Sequence, residues 1–275
     1  MTSGVLYMLI SNPQSAPRLC VSIWSLRKYY DGPIAIVANE ATEDVVRKIA
    51  DAFDAQVVMI DVPRYKRNGH FLLKPQMWKW TPFDRTVFMD SDTLVVANID
   101  EMFTALDRAP YFVTSFSNWR SNGRKISRRV EGMRGRSPMV DHLLDCQKRT
   151  PTVALNTGVL GWNADADGMY WWEFIVEAIS LGTGNRPPWI ADELAMQILF
   201  ENTDYCLLGR RFNCSPLFDE DEKEPIVWHF HGRKHMRDER GKKIWYPAFC
   251  ECEAENPAHI KAWARNYDKE ITEYE

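Results

Sequence analysis

Four short apolar runs separated by helix-like stretches and turns fill the first ninety residues, and this rhythm restricts the fold more than any other feature. VLYMLI at 5–10, PIAIVAN at 33–39, QVVMIDV at 56–62 and RTVFMDSD at 85–92 read as strands. Stretches around Arg18 to Tyr29 and from about Thr42 to Phe53 read as the intervening helices, the second with Val45, Val46, Ile49 and Phe53 on one face. Thr42, followed by Glu43 and Asp44, suits that helix's N-terminus, where unpaired N–H groups need acceptors. Strand–helix–strand units of this kind close through right-handed crossovers onto a mostly parallel sheet, whose ligands lie beyond the carboxyl ends of the strands.

A chain of 275 residues, 45% hydrophobic and 12% aromatic, can bury a full core, and 1–275 reads as one α/β domain. A net charge of only −4 argues against nucleic acid or a membrane surface as partner of the whole chain. The opening apolar run, Val5 to Ile10, is too short for a signal peptide or membrane span. Six scattered cysteines fit a reducing cytoplasm, and Cys250 and Cys252, without a second pair to complete a zinc site, read as ordinary thiols. Residues 118–136 carry six arginines and one lysine against a single glutamate, a basic loop. TVALNTGVLGW reads as a further strand, helices follow near Asp167 to Leu181 and Ile190 to Phe200, and PIVWHFHG closes the apolar runs. The acidic stretch 219–224 reads as a solvated loop and 236–275 as a helical tail.

The chemistry concentrates where strands stop. Asp90-Ser91-Asp92 follows directly on Val87, Phe88 and Met89, so two carboxylates emerge where a ligand crevice begins. Hard divalent cations are held by one or two carboxylates plus substrate phosphates, and Asp90 and Asp92 fit that need; a turn with one Asp capping a helix is the alternative local account. Residues 228–235 place three of the six histidines, His229, His231 and His235, at the end of another apolar strand. Imidazole suits Mn²⁺, Arg233 and Lys234 bring cations suited to a diphosphate, and Gly232 allows close backbone approach; a surface turn with incidental histidines is the competing account. Asn156-Thr157-Gly158 sets an amide and a hydroxyl, fit for sugar hydroxyls, into a strand where a β-bulge at Gly158 is an equally sound reading. Asp192 and Glu193 stand at a helix start, where acids are favoured electrostatically as well as catalytically.

In their order along the chain these residues resemble the GT-A-fold glycosyltransferases, especially glycosyltransferase family 8. The motifs that carry the resemblance are Lys74 with Trp78 or Trp80, then Asp90 and Asp92, then Asn156 to Gly158. Asp192 with Glu193, the segment Leu208 to Asn213, and His229, Phe230, Gly232 and Lys234 follow. Glu193 stands where the family carries glutamine. The resemblance implies a Rossmann-like mixed, mostly parallel sheet flanked by helices. It divides the domain into a nucleotide-binding half (1–117), the basic loop (118–136), an acceptor and metal half (137–235) and a tail (236–275). It also implies Mn²⁺ or Mg²⁺ on Asp90, Asp92 and His229, with His231 as the alternative ligand. The donor contacts it implies are Ser11, Lys74, Asp90, Ser91, Asp92, Asn156, Thr157, Gly158, Gly232, Arg233 and Lys234. The catalytic residues it implies are Asp192, Glu193 and Lys234. The reaction expected is transfer of a hexose from UDP, with retention, to a glycan, lipid-linked or protein acceptor. Trp119 and Trp189 are candidate stacking platforms, and the basic loop a dock for an acidic acceptor.

Two other functions compete. A sugar-nucleotide nucleotidyltransferase would share the sheet and a metal, but no glycine-rich phosphate loop lies between Ile10 and Arg18. A non-catalytic module binding nucleic acid or another anionic ligand through the basic loop leaves Asp90, Asp92 and His229 without a role. For the transferase, Asp92→Asn is expected to remove metal-dependent donor binding with little loss of folding, by relieving repulsion between two carboxylates.

Overall fold

The computed structural model describes residues 1–10, 12–62, 70–115, 155–182, 191–200, 203–219 and 221–256, with isolated positions between 134 and 145. Ser11, Trp119, Trp189 and nearly all of the 118–136 loop lie outside the described residues. In chain order the elements are β1 (Ser3–Leu9), α1 (Ala16–Arg27), β2 (Ile34–Ala38), α2 (Glu43–Phe53), β3 (Gln56–Met59) and α3 (His70–Leu73). A 3₁₀ segment, Lys74–Lys79, leads into β4 (Arg85–Met89), β5 (Thr93–Val95), α4 (Asp100–Arg108) and β6 (Tyr111–Ser115). After the basic loop come β7 (Leu155–Asn163), α5 (Gly168–Gly182), α6 (Ala191–Leu199), β8 (Cys206–Leu208), β9 (Val227–His229), α7 (Arg233–Arg237) and α8 (Glu239–Glu255).

Seven strands form one sheet in the order β3-β2-β1-β4-β7-β6-β8. The first four are mutually parallel, as the βαβ rhythm predicts, while β7 runs antiparallel to both β4 and β6. The mixed, mostly parallel sheet expected from sequence is therefore present. The neighbouring strands β2, β1 and β4 are largely apolar and buried because both faces are covered, whereas the edge strands β3 and β8 leave Met59 and Leu207 exposed. Val5, Tyr7 and Leu9, with Val87 and Met89, join the layer containing α1 and α2, while Leu6 and Phe88 join the layer containing α5 and α6. That alternation is the period-two pleat.

Helix α1 is buried nearly all round, from Ala16 to Leu26, because it lies between the sheet layer and α8, whose Trp245, Phe249 and Cys252 pack in the same core. Pro17 sits in its first turn, where a missing N–H breaks no helical bond. Within the stretch 236–275 expected to be a helical tail, the described residues form α7 and α8, and α8 closes the outer face of α1. Cys252 Sγ lies 3.8 Å from Cys20 Sγ inside that contact, and Cys250 is exposed.

Two local expectations change, and the bulge reading holds. Thr42 does not cap α2 with its side chain; its hydroxyl donates to the Leu9 carbonyl at 2.6 Å, tying the helix start to the end of β1. The acidic stretch is not simply solvated. Asp219 is fully buried and accepts the Ser215 N–H at 2.7 Å, while Asp221 and Glu222 hold Arg210 at 2.9 and 2.8 Å. The pairing of β6 with β7 shifts register after Val113, which opposes Leu160, so that Thr114 opposes Asn156. Thr157, Gly158 and Val159 form the irregularity, as the bulge reading expects.

Candidate functional site

The site is assembled by a short antiparallel ribbon at the carboxyl end of β4. Directly after the Asp90-Ser91-Asp92 turn, β5 pairs with β9, placing Thr93 opposite His229, and Phe230 N–H donates to the Asp92 carbonyl at 3.0 Å. On the other side, Asp90 N–H donates to the Gly158 carbonyl at 2.8 Å. His229 Nε2 lies 3.3 Å from Asp92 Oδ1 and 3.7 Å from Asp90 Oδ2. One ligand atom from each of the three residues falls within 4.8 Å of the others, and among the described residues this is the only such metal-capable group. His231 stacks on His229, with ring centroids 3.9 Å apart, and is not part of the group.

His229 is fixed from behind. Its Nδ1 is 2.9 Å from Asn213 Oδ1, and Asn213 Nδ2 donates both to Thr114 Oγ1 at 2.7 Å and to Asn156 Oδ1 at 2.8 Å. Because the Asn213 amide nitrogen is thus used twice, its oxygen faces the ring. Nδ1–H therefore donates to Asn213, which fixes the ring with Nε2 toward the carboxylates, the nitrogen through which a metal would be held. Asn156 uses both ends of its own amide: Oδ1 also accepts Gly158 N–H at 2.8 Å, and Nδ2 donates to Glu193 Oε1 at 2.7 Å. Thr157 Oγ1 donates to Asp192 Oδ2 at 2.7 Å. Through these bonds the Asn156 and Thr157 side chains support His229, Asp192 and Glu193.

Lys74 joins the two groups of carboxylates. It is buried, donating to Asp90 at 2.9 Å with Asp192 at 3.7 Å. Burial opposes its charge, but Asp90 and Asp192 outweigh that and hold its ammonium above the ordinary lysine value. Asp192 stands in the first turn of α6 with its carbonyl bound by Trp172 Nε1 at 2.9 Å. His231 and Gly232 are consecutive left-handed residues, with φ of 48° and 90°. That turn aims the Gly232 N–H at Asp92 Oδ2, 2.6 Å away, so this donor serves the carboxylate. Ser91 is partly exposed in the turn between the two aspartates. Arg233 and Lys234 begin α7, and their side chains lie outside what the structure describes.

The two aspartates differ electrostatically. Burial, with Asp92 adding to it, pushes the Asp90 carboxyl above the usual range despite Lys74 and His229. Asp92 is also penalised by burial, but His229, then Arg18 and His231, outweigh the penalty and hold it well below that range. Arg18 Nη1 is 3.9 Å from Asp92 Oδ2. A cation with oxygen ligands at about 2.1 Å sets neighbouring ligands about 3 Å apart, close to the observed separations. Two carboxylates and one imidazole are a donor set that Mn²⁺ and Mg²⁺ accept. The residues fit the implied ion.

Gly158 is where the support is tightest. A Cβ there would overlap the His229 ring and approach Asn156 Oδ1 to 2.8 Å. We expect Gly158→Ala to destabilise the fold by about 1–3 kcal/mol and to weaken Mn²⁺ binding roughly 10–100-fold, read by urea denaturation and by titration of the Mn²⁺ paramagnetic signal. Unchanged Mn²⁺ affinity would remove His229 from the ligand set. Asn213 and Arg18 were not singled out by sequence reasoning for a role at the site. Asn213 carried a signal only as the last residue of a motif, and Arg18 carried none.

No protein-family model matches the chain. Human glycogenin-1 is 32% identical over 81 residues, 26% of this chain and 23% of that protein. Rabbit (Oryctolagus cuniculus) glycogenin-1 is 28% identical over 115 residues, 38% of this chain and 34% of that protein. The match therefore spans about a quarter to a third of those relatives' length. Among solved structures, galactosyltransferase LgtC, crystallised with donor and acceptor sugar analogs, superposes with a TM-score of 0.63 at 13% identity, covering 94% of this chain and 99% of that one. Mouse xyloside xylosyltransferase 1 gives 0.56 at 16% identity, covering 83% and 97%. The chain has the GT-A fold and resembles family 8 of the GT-A glycosyltransferases.

Proposed function

We propose that this protein is a metal-dependent glycosyltransferase that moves a hexose from UDP to a glycan, lipid-linked or protein acceptor with retention of anomeric configuration. The observation that carries this reading is the meeting of Asp90, Asp92 and His229 at the carboxyl end of β4, with Lys74 linking that cluster to Asp192. Asp90, Asp92 and His229 would hold a divalent cation, which would supply positive charge for the departing diphosphate. Lys74 holds Asp90 and Asp192 at fixed spacing. Asp192, oriented by Thr157 and Lys74, faces the positive charge that grows on the sugar, and Glu193, held by Asn156, flanks it. In a retaining transfer the acceptor hydroxyl gives its proton to the departing phosphate on the same face, and no separate base is required.

In this reading Ser91, Ser11, Arg233 and Lys234 complete the donor site, with Lys234 on the leaving diphosphate. The parallel half through 117 takes the nucleotide, 137–235 the metal and acceptor, and the basic loop an acidic part of the acceptor. Among the described residues no helix is long and apolar enough to cross a membrane; we place the protein in the cytoplasm. Calorimetric titration of UDP, UDP-glucose, UDP-galactose and GDP-mannose with and without Mn²⁺ tests the reading. We expect one uridine nucleotide to bind only with Mn²⁺. Equal binding of all four without metal would point to a non-catalytic anion-binding module.

A further inference from the structure

We propose that Arg18 is a diphosphate ligand of this site, carried on α1 and parked beside Asp92 until a metal-bound diphosphate enters. The inference rests on the donor reading above and extends it to a residue outside the assigned set. Arg18 stands in the first turn of α1, just past the carboxyl end of β1 on the crevice edge of the sheet. Its side chain is only 12% exposed. One nitrogen is anchored, Nη2 donating to Ser15 Oγ at 2.7 Å, and Ser15 Oγ in turn accepts from Asn12 Nδ2 at 3.3 Å. The remaining contacts fall short. Nη1 is 3.9 Å from Asp92 Oδ2, too far for a hydrogen bond, and Nε is buried with no acceptor among the described residues. A guanidinium has five N–H donors in a rigid fork matched to phosphate oxygens, and a buried donor without an acceptor calls for an explanation.

Charge balance supplies that explanation. Without a cation, Asp92 faces His229 Nε2 at 3.3 Å, Gly232 N–H at 2.6 Å and Arg18 at 3.9 Å, so Arg18 is the most loosely held of its partners. A divalent ion on Asp90, Asp92 and His229 would draw off the Asp92 charge and leave two cations side by side. A diphosphate bound between them restores balance, taking the metal on one side and the Arg18 fork on the other. The arrangement makes metal and diphosphate bind cooperatively: Arg18 disfavours the bare ion and favours the ion with its diphosphate.

Opposite signs make the test specific. Wild type, Arg18→Gln and Arg18→Lys are titrated with Mn²⁺ alone, followed by its paramagnetic signal, and with inorganic pyrophosphate at saturating Mn²⁺, followed by calorimetry. Arg18→Gln is expected to bind Mn²⁺ as tightly as wild type or tighter and pyrophosphate about tenfold or more weakly, the effect of losing charge-assisted hydrogen bonds. Arg18→Lys, which keeps the charge but not the fork, should fall between, and it carries the comparison alone if the glutamine variant does not fold. Equal pyrophosphate affinity in wild type and variants overturns the assignment and leaves the donor reading standing. Parallel loss of Mn²⁺ and pyrophosphate also overturns it, reducing Arg18 to a support for Asp92. A wild-type protein that takes up neither Mn²⁺ nor pyrophosphate defeats the donor reading and this inference together.

Discussion

Lys74→Met is expected to lower stability at neutral pH by about 3–5 kcal/mol, the effect of stripping one partner from a buried ion pair. Lys74 contacts two carboxylates, and Asp192 is almost wholly buried, at 4% side-chain exposure. Methionine fills similar space without charge, so the change isolates electrostatics from packing. Asp192 would keep the Thr157 hydroxyl as a hydrogen-bond donor but lose its cation. Asp90, already pushed upward by burial, would keep only His229. Urea denaturation followed by tryptophan fluorescence measures the loss. The deficit should shrink in acid, where a stranded carboxyl can take up a proton and shed its charge. A variant within about 1 kcal/mol of wild type, the value of an exposed pair, would show that these charges are solvated.

Asp92→Asn is expected to lower Mn²⁺ affinity by more than the roughly 10–100-fold that loss of a supporting residue causes, and to remove metal-dependent nucleotide binding with it. The sequence argument also expects relief of repulsion between two carboxylates, and the structure reverses that part. Asp92 sits among His229, Arg18 and the Gly232 N–H, which together hold its carboxyl well below the usual range. The sign follows directly. A group with a depressed folded-state pKa contributes stability that is present above the ordinary carboxylate value and lost as pH falls through and below it. With metal chelated, Asp92→Asn should therefore be the less stable protein at neutral pH, by about 1–3 kcal/mol, with the gap closing below roughly pH 5. Equal or greater stability of the variant at pH 7 would mean that carboxylate repulsion dominates after all.

How much of the site was legible depends on whether its logic was local. Asp90 and Asp92 could be read because an apolar run stops at Met89 and the carboxylates follow at once. Asp192 and Glu193 could be placed at a helix start, and α6 begins at Ala191. The histidine run was visible and the resemblance named His229, but no local pattern fixes which ring turns inward, since that depends on the register of β5 against β9. The supporting contacts of Asn156 and Thr157 were hidden for a related reason. Their bonds to Asn213, Glu193 and Asp192 join segments far apart in the chain, which no local pattern records.

The sequence by itself determined the parallel β3-β2-β1-β4 half, because strand and helix periods are written in neighbouring residues and right-handed crossovers leave few topologies. It also determined where carboxylates must emerge from the sheet, because apolar runs end there. Only the tertiary structure decided that β7 reverses direction, that Lys74 spans two carboxylates and that Arg18 reaches Asp92. Those outcomes depend on the partners that a buried charge or an unpaired strand edge finds across the chain, and the free energy of that choice is set by burial and distance, which no local pattern records.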